Sequence, residues 1–126
     1  MKKVYIETPV GEIIDKLTIL EIKKKKIKQK NSQIHINKEY VALKKTLKKN
    51  VIFSKELNNL WKELLIVNQE IWDMENYKRE AQKHLEKITS VALKVYKNND
   101  KRAKIKYKIN RLTKSNTLEI KNYSKY

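Results

Sequence analysis

The sequence predicts an all-α protein, a bundle of four or five helices built on a long central helical hairpin, with short extended segments at both termini, in a single helical domain over residues 1–126. Three observations carry this expectation. Gly11 and Pro9 are the one glycine and the one proline, whereas β-sandwiches, βαβ units and glycine-rich phosphate loops need glycine for positive φ or close backbone approach. Apolar side chains recur at alternating intervals of three and four along most of the chain, the mark of helices with a buried stripe. With no cysteine to staple a small fold, stability must come from a packed core, and a domain of this length buries roughly two-thirds of the surface its unfolded chain exposes.

Val4 and Ile6 alternate with Lys3, Tyr5 and Glu7 as a short extended segment. Thr8 then reads as an N-cap and Pro9 as the first helical residue. The run over residues 10–27 is the most apolar in the chain. Val10, Ile13, Leu17 and Leu20 form its seam, while Ile14, Ile19 and Ile22 lie outside it, so this helix is apolar almost all round and belongs inside a bundle or at an oligomer interface. Into that surface fall Asp15, beside Ile19 and Ile22, and Glu21, between Leu17 and Ile14. A buried carboxylate costs several kcal/mol unless it is partnered, so each requires a cation or a donor opposite.

Lys23, Lys24, Lys25 and Lys26 suit the negative end of the helix dipole, and Asn31-Ser32-Gln33 is the expected stop. A second, thinly apolar surface helix is expected from an Asn37 cap to Asn50, with Tyr40, Leu43 and Leu47 on one stripe. Ser54 caps the next. From Leu57 the stripe runs through Leu60, Leu64, Val67, Ile71 and Met74, then through Ala81, Leu85, Ile88, Ala92 and Val95. This is one helix over 54–97 or two joined near Arg79 to Lys83, where polarity peaks. An uncapped helix beyond about 25 residues usually belongs to a coiled coil or a repeat, which favours a break or bend. Beside the stripe runs a second line of Trp61, Leu65, Asn68, Trp72, Glu75 and Arg79. Asn98-Asn99-Asp100 reads as a stop and a new cap for a last helix to about Thr113, and residues 117–123 alternate like a strand or arm able to pair with Val4 and Ile6.

The formal charge is +17, yet 28 of the 31 basic residues are lysine and three are arginine. Specific phosphate and base recognition favours the arginine fork, so the charge points at most to nonspecific nucleic-acid or polyanion binding that weakens with salt. Lysine, isoleucine and asparagine together fill 55 of 126 positions, the usage expected of A/T-rich codons. His35 and His84 have no partner spacing, so neither a metal site nor a cofactor is expected, and no serine sits in the strained elbow that nucleophilic catalysis requires. No apolar run approaches the roughly 18 residues that span a bilayer, and a cytoplasmic protein without membrane attachment is the simplest expectation.

The candidate site is a set of polar residues on three helices: Asp15, Lys16 and Glu21 on the first, Asn68, Glu75 and Arg79 on the long helix, and Asp100, Arg102 and Lys106 on the last. If the three helices pack together, these groups form either ion pairs that fix helix register or a pocket for a small anionic molecule. A self-associating, non-enzymatic binding or interaction module is the resulting expectation.

The segments G-E-I-I-D-K-L-T-I-L-E-I-K at 11–23, N-x-x-I-W-x-x-E at 68–75, V-Y-K-N-N-D-K-R-A-K-I-K-x-x-I-N at 95–110 and L-E-I-K-N-Y at 118–123 together resemble a family of short bacterial and phage proteins known only as a domain of unknown function. The resemblance covers nearly the whole chain and implies that Glu12, Asp15, Lys16, Thr18, Glu21, Asn68, Glu75, Asn99, Asp100 and Arg102 are motif positions; it implies no activity. Ile14-Asp15, Leu17, Leu20 and Lys24 are also similar to the first helix of all-helical chorismate mutases. Those enzymes bind a dicarboxylate with several arginines, and the first helix here has none.

Overall fold

The computed structural model describes residues 2–80 and 85–115, in which four helices follow in order: α1 (Val10–Lys26), α2 (Lys30–Asn50), α3 (Lys55–Glu80) and α4 (Leu85–Leu112). No strand occurs among the described residues. α3 and α4 form the long hairpin, and α1 packs against α2, α3 and α4 alike. α1 is therefore the central helix, as its all-round apolar character requires. Ile14 and Leu17 of α1 meet Leu47 of α2, Leu57, Leu60, Leu64 and Val67 of α3, and Ile105 and Ile109 of α4 in one buried cluster. Each such side chain contributes about 1.5–3 kcal/mol through burial.

Several boundaries differ from those expected, each for a physical reason. Pro9, not Thr8, holds the N-cap position of α1, with φ −63° and ψ 146° and no side-chain cap of its own. The orphan amides of the first turn are satisfied from the far end of the chain instead: Val10 N–H donates to Ser115 Oγ (3.0 Å) and Gly11 N–H to Asn110 Oδ1 (2.6 Å). Asn31, Ser32 and Gln33 do not end α1 but lie in the first turn of α2, which starts seven residues before Asn37. From there the Gln33 amide donates to Lys24 O (2.8 Å) and to Ile27 O, closing the C-terminal carbonyls of α1. Asn98-Asn99-Asp100 lie inside α4, not at a break, and Asn98 is held there by donating to Glu70 of α3 (2.8 Å). The bundle thus has four helices among the described residues.

Two expectations held in this region. Ser54 Oγ accepts from Leu57 N–H at 3.1 Å, the N-cap of α3, and the periodic run from Leu57 to Val95 is split between two helices, the first ending at Glu80. Residues 2–9 carry no regular structure, and the strand or arm expected over residues 117–123 lies outside the described residues.

The C-terminus of α4 is shaped by the same contact that caps α1. Lys114 adopts φ 54°, and Ser115 N–H returns to Asn110 O at 2.9 Å, a left-handed turn that glycine occupies more readily. This turn carries Ser115 to the first amide of α1. Gly11 lies so close to α4 that a Cβ there would stand 2.7 Å from Lys106 O and 2.8 Å from Asn110 Oδ1. Gly11→Ala is therefore expected to lower stability by about 1–3 kcal/mol despite the higher helix propensity of alanine, read as a lower urea midpoint with an unchanged slope.

Candidate functional site

α4 presents a polar ridge at four-residue spacing, Asn98, Arg102, Lys106 and Asn110, on the side that meets α1 and α3. Positions four apart stack on one helix face, so a single face delivers all four groups. The centre of the ridge meets Asp15, which is 3 % exposed. Arg102 Nε donates to Asp15 Oδ1 at 2.9 Å and Arg102 Nη2 to Asp15 Oδ2, the two-pronged geometry that guanidinium and carboxylate share. Asn68 Nδ2 donates to Asp15 Oδ1 and to Thr18 Oγ1, both at 2.8 Å, and Thr18 Oγ1 donates to Asp15 O at 2.7 Å. A carboxylate only accepts, so the nitrogen of the Asn68 amide must face it.

Lys106, 7 % exposed, lies 4.0 Å from Asp15 Oδ2 and forms an ion pair with Glu12 at the rim. Two carboxylates and two cations thus balance, and the layer joins α1 to both arms of the hairpin.

Glu21 does not join this layer. It is the acceptor of a second cluster on the α2 side of α1, where Tyr40 OH donates to Oε1 at 3.1 Å and Trp61 Nε1 to Oε2 at 3.4 Å. Lys44 Nζ stands 5.5 Å from the Tyr40 ring centre and 5.9 Å from that of Trp61, a cation over two aromatic faces. Burial, followed by the charge of Glu21 and its hydrogen bond, pushes the Tyr40 phenol up to about 12.

The other predicted positions are peripheral. Lys16 pairs with Glu39 of α2 at 2.7 Å on the surface, and Glu75 pairs with Lys78 at 3.5 Å. Arg79 is exposed, and Asp100 is half-buried on α4 two residues before Arg102. Of the expected set, Glu12, Asp15, Thr18, Asn68, Arg102 and Lys106 therefore come together. The line Trp61, Asn68 and Trp72 turns inward in part; the Trp72 indole N–H is buried without an acceptor among the described residues. Asn98, Glu70, Asn110, Ser115, Tyr40 and Gln33 were not singled out as site residues by sequence. The four-residue spacing of Asn98 and Asn110 about Arg102 and Lys106 was the available signal.

No group of three or more histidine or acidic side chains able to hold a metal ion occurs among the described residues, and none of their helices is long and apolar enough to cross a membrane. Compared with protein-family models, curated proteins and solved structures, the chain matches none.

The raised Tyr40 value has a definite sign. Its protonated form is favoured in the folded state, so the contribution is complete below pH 10, the ordinary tyrosine value, and is lost as pH rises towards about 12. The stability difference between the parent protein and Tyr40→Phe is expected to be constant below pH 10 and to shrink above it. Phenolate absorbance should show one late-titrating tyrosine that the variant lacks.

Proposed function

We propose that this protein is a non-enzymatic binding or interaction module, in which the polar layer sets the register of α1 against the α3–α4 hairpin and is not itself a ligand pocket. The observation that carries this reading is the saturation of Asp15. Arg102 takes both of its oxygens, Asn68 takes one of them again, and the second cation, Lys106, is already engaged by Glu12. An anionic ligand would have to displace Asp15 from Arg102, exchanging one carboxylate for another and gaining little. A chorismate-mutase-like site, which needs cations open to a dicarboxylate, is correspondingly disfavoured.

A second reading, polyanion binding through lysines, is supported by one specific feature. Residues 22–55 hold twelve lysines and a single acid, Glu39, and Lys16 neutralises that acid. Lys45, Lys48 and Lys49 line one open groove of α2 with Val41 and Lys44. Phosphate backbones recognise such a surface without sequence preference.

One thermal-shift series separates these readings. Phosphate, citrate and dicarboxylates at millimolar concentration are expected to leave the melting temperature unchanged. A metabolite that raises it by several degrees, with the rise lost in Arg102→Ala, would establish a pocket, since a ligand at a hundred times its Kd adds about 2.7 kcal/mol. Heparin reports the second reading: a stabilisation that disappears between low and moderate salt and falls in Lys45→Glu/Lys49→Glu supports it, and no effect at low salt removes it.

A further inference from the structure

We infer that the outer face of α2 is a docking surface for an anionic lipid bilayer, on which the helix lies in the plane of the headgroups. The inference rests on the lysine reading above and names its partner.

α2 packs on α1 through the face that carries its buried residues, Ile36 and Leu47. The opposite face is not uniformly polar. Ile34 is 57 % exposed and Val41 63 %, and their spacing of two helical turns puts them on one line along the helix. Ile52, just beyond the end of α2, is 90 % exposed.

Lysines flank this line on both sides. At about 100° per residue, Lys45, Lys38 and Lys49 stand about 40°, 60° and 80° to one side of Val41. Lys48 and Lys30 stand about 20° to the other side and Lys44 about 60°. The arc from Lys44 to Lys49, roughly 140° wide, contains no acidic residue. Glu39 lies about 160° from Val41 and pairs with Lys16 of α1. Lys44 and Lys48, like Lys45 and Lys49, are four residues apart, where like charges repel. No salt bridge among the described residues relieves them. An anionic surface would.

The apolar line between the lysine rows selects the kind of anionic surface. A duplex that took α2 into its major groove would set the centre of the face against base edges, which are read mainly by hydrogen-bonding side chains. Ile34 and Val41 offer none. A single strand stacks its bases on aromatic rings, and the arc carries none. At a bilayer both parts of the face are used: the aliphatic side chains enter the boundary between headgroups and acyl chains, while the flanking lysines extend along their stems to the lipid phosphates. A straight helix also meets a plane along its length, so ammonium groups spread over about 28 Å of α2 act on one surface together. The expectation of no membrane attachment followed from the lack of a spanning segment, which a helix lying in the interface does not require.

Co-sedimentation of the intact protein with lipid vesicles tests this. At low salt, binding is expected to vesicles of equal parts phosphatidylcholine and phosphatidylglycerol, and none to phosphatidylcholine alone. Ile34→Asn/Val41→Asn, exposed substitutions checked by unchanged helicity, is expected to weaken vesicle binding about tenfold and to leave heparin retention as in the parent. Lys45→Gln/Lys49→Gln is expected to weaken both, vesicle binding by about tenfold or more. No binding to the anionic vesicles at low salt, or binding indifferent to Ile34→Asn/Val41→Asn, would overturn the proposal. If heparin or a DNA duplex is retained and the vesicles are not, the lipid partner is wrong and the lysine reading stands; if none is bound, both fail.

Discussion

The fold turns on one buried carboxylate. Asp15 sits on the helix that every other helix touches, at a position from which water is excluded. A charge so placed is tolerable only with an opposite charge and further donors at good geometry. Arg102 of α4 and Asn68 of α3 provide these, and no helix alone can do so. Satisfying Asp15 thus requires three helices in one relative register, and the wrong registers leave its carboxylate buried without a partner. The apolar cluster supplies most of the driving force, but Leu, Ile and Val pack acceptably in many arrangements. The polar layer distinguishes among them.

The same ridge of α4 extends this control along α1. Lys106 reaches Glu12, Asn110 caps Gly11, and the left-handed turn at Lys114 brings Ser115 to Val10. The start of α1 is therefore capped by residues about a hundred positions away, and α1 loses its cap if it shifts along α4. The absence of a side chain on Gly11 permits that approach. At the opposite end Gln33 of α2 closes the carbonyls of α1. Both ends of the central helix depend on tertiary contacts, whereas α3 begins with a local cap at Ser54.

That contrast explains how much was legible in the sequence. Local signals read correctly: the Ser54 cap, the 3,4 stripe from Leu57, the all-round apolar character of α1 and the demand of Asp15 for partners are all set by neighbours within a few residues. The signals that misled were also local. Asn31-Ser32-Gln33 and Asn98-Asn99-Asp100 have the composition of stops, but Gln33 and Asn98 are used for contacts with other helices, and those contacts hold helical backbone through weak formers. Glu21 and Asp15 fall on different sides of α1, and only the placement of α2 reveals that Glu21 answers to Tyr40 and Trp61 instead of α4. Trans capping by Asn110 and Ser115 leaves no mark in nearby sequence at all, although the four-residue series through Arg102 and Lys106 hinted at the face involved.

The central claim is that Asp15 and Arg102 are coupled, each tolerated because of the other, and a double-mutant cycle of urea unfolding measures it directly. Asp15→Leu and Arg102→Met are each expected to cost about 3–5 kcal/mol, because each strands a buried charge or its partner. The double variant, with neither charge present, is expected to cost far less than the sum. If the two losses instead add to within about 0.5 kcal/mol, the pair is not coupled, and the polar layer does not hold α1 in register.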